Sequence, residues 1–106
     1  MKRQLMLLAL AISSAAFAQE LSVTAPTGAL LGAEIAVAFL GPTNPLDFIT
    51  IVARDAPEGK YDAYQYAKSS PAVLTAPALQ GEYEIRYLEA ASPYATRWRQ
   101  SLTVAD

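Results

Sequence analysis

The chain of 106 residues contains no cysteine and no histidine. Without Cys there is no disulfide, no zinc finger and no thiolate metal centre. Without His there is no imidazole ligand for haem or zinc and no Ser-His-Asp or Cys-His catalytic group. Charge is also sparse, at 17% of residues, with eight Lys and Arg against ten Asp and Glu. A net charge of −2 gives no basic footprint for nucleic acid. Yet 53% of the residues are hydrophobic, far too apolar for a disordered tail. The length suits one ordinary domain rather than two.

The N-terminus reads as an export signal. Lys2 and Arg3 precede an apolar run from Leu5 to Ile12, then small residues and Ala16-Phe17-Ala18. Charged start, short apolar stretch and A-x-A site form the pattern of a secretory signal peptide over residues 1–18, cleaved near Ala18. Polar Ser13 and Ser14 interrupt the apolar run at about half the ~20 residues that a membrane-spanning helix needs. No Cys stands at the cleavage point to take a lipid, and no later stretch is long enough to span a bilayer. Cleavage after Ala18 leaves 88 of the 106 residues, with six cations against ten anions, in a periplasmic or extracellular compartment. With no Cys to oxidise there, the remaining domain, 19–106, must fold on hydrophobic burial alone.

From Leu21 onward the apolar residues recur at every second position, the period of a strand with one face buried. Leu21 and Val23 form one alternation. Ile35, Val37 and Phe39 form another, ending at Gly41-Pro42. Phe48-Ile49-Thr50-Ile51-Val52 is apolar on both faces, as a central strand is. Shorter pieces follow at Tyr64–Tyr66 and Val73–Thr75, and longer ones at Tyr83–Tyr87 and Arg97–Val104. Turn residues separate them, and seven Pro residues spread along the chain oppose helices. The segment from Leu30 to Leu40 is rich in Ala, but its β-branched residues at even spacing make it a turn followed by a strand. Seven short strands at roughly 10–14-residue intervals predict an all-β sandwich.

Gly81-x-Tyr83-x-Ile85 resembles the entry to strand F of immunoglobulin-like sandwiches, where a Tyr precedes the second core Cys by two positions. The resemblance implies an Ig-like or fibronectin III-like Greek key without a disulfide. In it Tyr83 ties the corner to backbone, Ile85 stands in the Cys place and Val37 faces it. Leu79 stands where the family often has Asp, and no Trp lies on the third strand, so Phe48 or Ile49 must fill that volume. More narrowly, Val37-x-Phe39-x-Gly41-Pro42, Asp47–Val52, Ala76-Pro77 and Gly81–Tyr87 are similar to small Ig-like modules of exported bacterial proteins. Those modules often accompany a von Willebrand factor type A domain, and often have Trp where Phe39 stands. The resemblance covers nearly all of residues 19–106 and implies little about activity. The metal-adhesion loop of the large companion domain is not part of the module, so metal-dependent adhesion does not carry over.

Few residues suggest chemistry. Asp55, Glu58 and Asp62 form an acidic turn that could offer oxygens to calcium, but their spacing is not that of an EF-hand. Pro57 and Gly59 already explain the segment as a turn. Glu82 and Glu84 lie on one strand face about 7 Å apart, a spacing that could suit a glycosidase pair. Arg86 continues that face, and an exposed charge ladder with Arg97 or Arg99 of a neighbouring strand is the simpler expectation. These observations predict neither an enzyme nor a cofactor. Tyr61, Tyr64 and Tyr66 cluster at an edge strand and its approach. Tyr combines apolar area with a hydroxyl and is favoured in recognition, so these three are the candidate partner-binding residues. Tyr94 with Trp98 is a weaker second group. The expected function is a non-catalytic interaction module that meets another cell-envelope protein, including by strand addition at the Tyr edge. A structural subunit of a larger assembly and a small-ligand or calcium carrier are the alternatives.

Overall fold

A computed structural model describes residues 20–106. Residues 1–18, expected from the sequence to be a signal peptide, lie outside the described residues. Among the described residues every regular element is a strand: β1 (Ser22–Thr24), β2 (Gly28–Leu30), β3 (Glu34–Leu40), β4 (Phe48–Ala53), β5 (Tyr64–Tyr66), β6 (Ala72–Thr75), β7 (Gly81–Leu88) and β8 (Thr96–Ala105). They form two sheets, one in the order β1-β3-β6 and one in the order β2-β8-β7-β4-β5.

The period-two pattern sets the faces. Ile35 and Val37 of β3, with Ala72 and Leu74 of β6, turn inward from the small sheet. Ile49 and Ile51 of β4, Ile85 and Tyr87 of β7, and Leu102 and Val104 of β8 complete one apolar cluster from the large sheet. Val37 and Ile85 both have no exposed surface. Aliphatic packing thus occupies the middle of this bridge-free core. Phe39 is half-buried and meets Tyr87 edge-on at 6.2 Å. The Tyr83 hydroxyl donates to the Leu79 carbonyl at 2.7 Å, tying the start of β7 to the turn before it.

Eight strands replace the expected seven. The additional one, β2, pairs parallel with Thr103–Ala105 at the end of β8. In the sequence the β2 segment shows no alternation of its own and lies between those of Leu21-Val23 and Ile35–Phe39. Three residues are too few to show a period, and the pairing that makes them a strand comes from the far end of the chain.

The second departure concerns the outer face of the large sheet. Residues 48, 50 and 52 of β4 point away from the core, beside Leu88, Arg86 and Glu84 of β7. This face is not left to water. The connection between β4 and β5, residues 54–63, folds back across it. Arg86, expected in an exposed ladder, is only 1% exposed. Its Nη1 donates to the Pro57 carbonyl at 3.1 Å and its Nη2 to the Ala56 carbonyl at 2.9 Å. Its Nε donates to Glu84 at 2.9 Å. Thr50 fixes the loop's other end, accepting from the Asp62 N–H and donating to the Ala63 carbonyl, both at 3.0 Å. Arg99 joins the outer-face charges, bridging Glu58 at 2.6 Å and Glu84 at 3.5 Å. Arg97 does not. A register shift between Tyr87 and Leu88 leaves it without a cross-strand partner. It turns to the Pro42 carbonyl at 3.0 Å, to Asp47 at 3.7 Å and over the Tyr87 ring at 5.5 Å.

Candidate binding site: an aromatic cleft on the large sheet

The three sequence-predicted tyrosines come together, joined by two aromatic residues that spacing along the chain did not associate with them. Phe48, the first residue of β4, is buried and turned to the outer face. Tyr61 lies against it at 5.3 Å, Tyr64 at 5.1 Å and Tyr94 at 5.5 Å. Tyr61 meets Tyr64 and Tyr94 at nearly right angles, and Tyr64 meets Tyr66 at 5.4 Å. Such edge-to-face contacts place the positive ring edge on the negative ring face. With Leu46 and Ala90, these five rings line a cleft of about 170 Å³. Of the two residues Phe48 and Ile49, Ile49 turns into the core, while Phe48 forms the floor of the cleft on the opposite face. Tyr94 belongs to this cluster rather than to Trp98, which packs at the margin of the core.

The cleft draws on three separate segments. Phe48, Tyr64 and Tyr66 stand on paired strands, with Phe48 opposite Tyr66 and Thr50 opposite Tyr64. Tyr61 is carried by the loop that Arg86 and Thr50 hold down. Tyr94 has a positive φ of 60° in the turn between β7 and β8. The two loops touch at Gly59, whose φ is 85° and where a Cβ would stand 2.7 Å from the Pro93 carbonyl oxygen. Only glycine suits both the left-handed backbone and the close approach.

No acidic or basic side chain lines the cleft. The polar groups of the lining side chains are phenol hydroxyls, with Tyr61, Tyr64 and Tyr66 each about 40% exposed. Hydrogen bonding with Tyr66 raises the Tyr64 pKa above the ordinary value, so that hydroxyl stays protonated.

Asp47 anchors the same end of the molecule. It is buried, and its Oδ2 accepts from the Tyr87 hydroxyl at 2.9 Å and from the Asn44 N–H at 3.0 Å. Its Oδ1 accepts from the Ala90 N–H at 2.9 Å. Burial, and then the Asp47 carboxylate, push the Tyr87 phenol well above the usual tyrosine range. A broad depression of about 440 Å³ opens beside Asp47, Glu89 and Arg97. Both Asp47 oxygens are already engaged by donors of the chain, so this carboxylate serves the turns rather than a ligand.

The acidic trio does not converge. Glu58 binds Arg99 and Thr96, and Asp62 binds Lys60 at 3.2 Å. Among the described residues no group of three acidic side chains is placed to hold a metal ion. Glu82 accepts from Thr103 at 3.0 Å, and Glu84 is shared by Arg86 and Arg99. The two glutamates therefore act as partners of neighbouring strands.

Sequence reasoning missed Phe48, Leu46 and Tyr94 as part of the cleft. One signal was present: β4 is apolar on both faces, which requires a cover on the outer one. Comparisons of the chain with protein-family models, with curated proteins and with solved structures find no match.

Proposed function

We propose that this chain is a non-catalytic, Ig-like binding module of the bacterial cell envelope, acting in the periplasm or outside the cell after cleavage near Ala18. The observation that carries the reading is the aromatic cleft: four tyrosines and Leu46 around a buried Phe48 floor, with no acidic or basic side chain in the lining. Monomeric proteins normally bury such rings, and a rimmed aromatic patch marks a recognition surface. The partner is another envelope protein that offers an apolar side chain to the cleft. The Ig-like assignment draws on the Tyr83 corner, on Val37 and Ile85 in the middle of a disulfide-free core, and on strand partners far apart in sequence. The absence of His and Cys from the sequence supports a binding role over catalysis.

Capture from periplasmic extract tests the surface. The full chain, Tyr64→Ala, Tyr66→Ala and Tyr61→Ala are compared as baits after confirming equal folding by circular dichroism. Loss of the same protein from all three variants is expected. Unchanged recovery removes the cleft as the binding surface.

A second reading, a structural subunit of a larger assembly, is favoured by one feature of its own. β5 is the last strand of the large sheet, and all three of its residues, two of them tyrosines, are exposed.

A further inference from the structure

The aromatic cleft has two unlike sides. Phe48, its floor, pairs with Tyr66 of β5 on one side and with Leu88 of β7 on the other. On the β5 side the chain leads from Tyr66 to Lys68, which lines a separate depression with Gln65 and Tyr66. β5 offers no free edge there. It lies beside β6, and Tyr64, Gln65, Val73, Leu74 and Thr75 line one narrow cleft between the two strands. A partner therefore meets this surface through side chains rather than by adding a strand to β5.

On the β7 side the aromatic cleft continues into the broad depression beside Asp47. Ala90 lines both, and along the start of β4 Leu46 and Phe48 line the cleft while Asp47 lines the depression. Three charged side chains line the depression: Asp47, Glu89 and Arg97. Asp47 and Arg97 stand 3.7 Å apart and offset each other. Glu89 is exposed and has no ion-pair partner among the described residues. One negative charge is thus left uncompensated on this side of the cleft. Its position is fixed by the turn that carries Tyr94. The Glu89 N–H donates to the Ala95 carbonyl at 2.9 Å, and the Tyr94 N–H donates to the Ala91 carbonyl at 2.7 Å.

We infer that the envelope protein proposed above presents an apolar side chain with a lysine or arginine one or two positions away, the apolar group in the tyrosine cleft and the cation at Glu89. The inference rests on the reading of the cleft as a binding surface and adds the charge of what binds there. Glu89 is the residue next to Ala90, one step of about 3.8 Å along the chain from the cleft lining. Two residues of an extended partner span about 6–7 Å, and a long basic side chain covers the remainder. A carboxylate in the same place meets Glu89 as a like charge, which disfavours it.

Two blocked peptides, Ala-Phe-Ala-Lys-Ala and Ala-Phe-Ala-Glu-Ala, titrated into the full chain at low salt and followed by NMR test the inference. The lysine peptide should bind about fivefold more tightly, the size of an exposed ion pair. The gap should close as salt is raised. Glu89→Lys should reverse the preference. Glu34→Lys, the same charge change at an exposed position of β3 in the other sheet, should leave it in place. Equal binding of the two peptides, no binding of either, or a preference that survives Glu89→Lys overturns the inference. So does tighter binding of maltotetraose than of the lysine peptide, or association of two copies of the chain through the cleft. If Tyr61→Ala and Tyr64→Ala lose both peptides while Glu89→Lys changes nothing, the binding reading stands and this inference alone falls. If the tyrosine variants bind both peptides like the wild type, the binding reading falls and takes this inference with it.

Discussion

Replacing Arg86 with Ala is the severest test of how the outer face is organised. The guanidinium is 1% exposed and makes three hydrogen bonds, to Glu84, Ala56 and Pro57. Removing one partner of a buried pair costs about 3–5 kcal/mol, because the other is left desolvated. Here the lower end applies. Glu84 keeps Arg99 at 3.5 Å, and the two loop carbonyls lie near enough to the surface to regain water. A loss of about 3 kcal/mol compares with a total of about 4–13 kcal/mol for a domain of this size. The melting temperature should fall by about 12–24 °C. Arg86→Lys should cost less, since it keeps the charge beside Glu84 and loses the fork that reaches two carbonyls. Urea titration followed by fluorescence of Trp98 measures both, and an unchanged m value shows that the unfolded state is not the cause. A loss below about 1 kcal/mol for Arg86→Ala would refute the claim that this side chain pins the loop.

Acid should loosen the same region. Arg99, then Thr96, hold the Glu58 carboxyl below its ordinary pKa of 4.5. A depressed carboxylate adds stability that is complete above the unfolded value and is lost as pH falls through the lower folded value. Urea midpoints should therefore drop below about pH 4.5, and Glu58→Gln should flatten that acid limb; an identical limb in the variant counts against the ion pair. Gly59→Ala should cost about 1–2 kcal/mol from the left-handed backbone alone, with more from the approach to Pro93. An alanine variant that melts with the wild type would show that the two loops are free to separate.

The inner half of the fold was legible because one physical signal controls it. Ile35-Val37-Phe39, Tyr83-Ile85-Tyr87 and Leu102-Val104 alternate, and the face they define is the face that is buried. Tyr83 was legible through its spacing from Gly81 and Ile85. The outer half was harder to read, because a charged residue at an alternating position normally means solvent. Arg86 breaks that rule only because residues 54–63 fold back over it, and a loop's path leaves no period. The cleft shows the same division. Tyr61, Tyr64 and Tyr66 are near neighbours in sequence, whereas Phe48 and Tyr94 reach them through strand pairing and a turn. β2 owes its existence to β8 and so was invisible locally. The double-sided apolar run of β4 held the missing information. A strand buried on both faces needs two covers, and a cover over Phe48 and Thr50 must also reach their neighbours Arg86 and Leu88 on β7.

The two faces of the large sheet therefore rest on different forces, and this bears on the cleft. The inner face is closed by aliphatic packing, which tolerates small shifts because it has no direction. The outer face is closed by directed contacts: three from Arg86, two through Thr50 and a close approach at Gly59. Apolar burial alone would not choose one path for a loop as polar as 54–63. Directed bonds choose it, and Tyr61 is fixed as a result. Phe48 stands on a paired strand and gives the cleft its floor, and the loop that carries Tyr61 is tethered at residues that do not line the cleft. The proposed partner would then meet rings that are already placed and would spend less of its binding energy on ordering them. The buried arginine and the aromatic cleft are thus one device: the contacts that remove the outer face from water also set the geometry of the surface proposed for recognition.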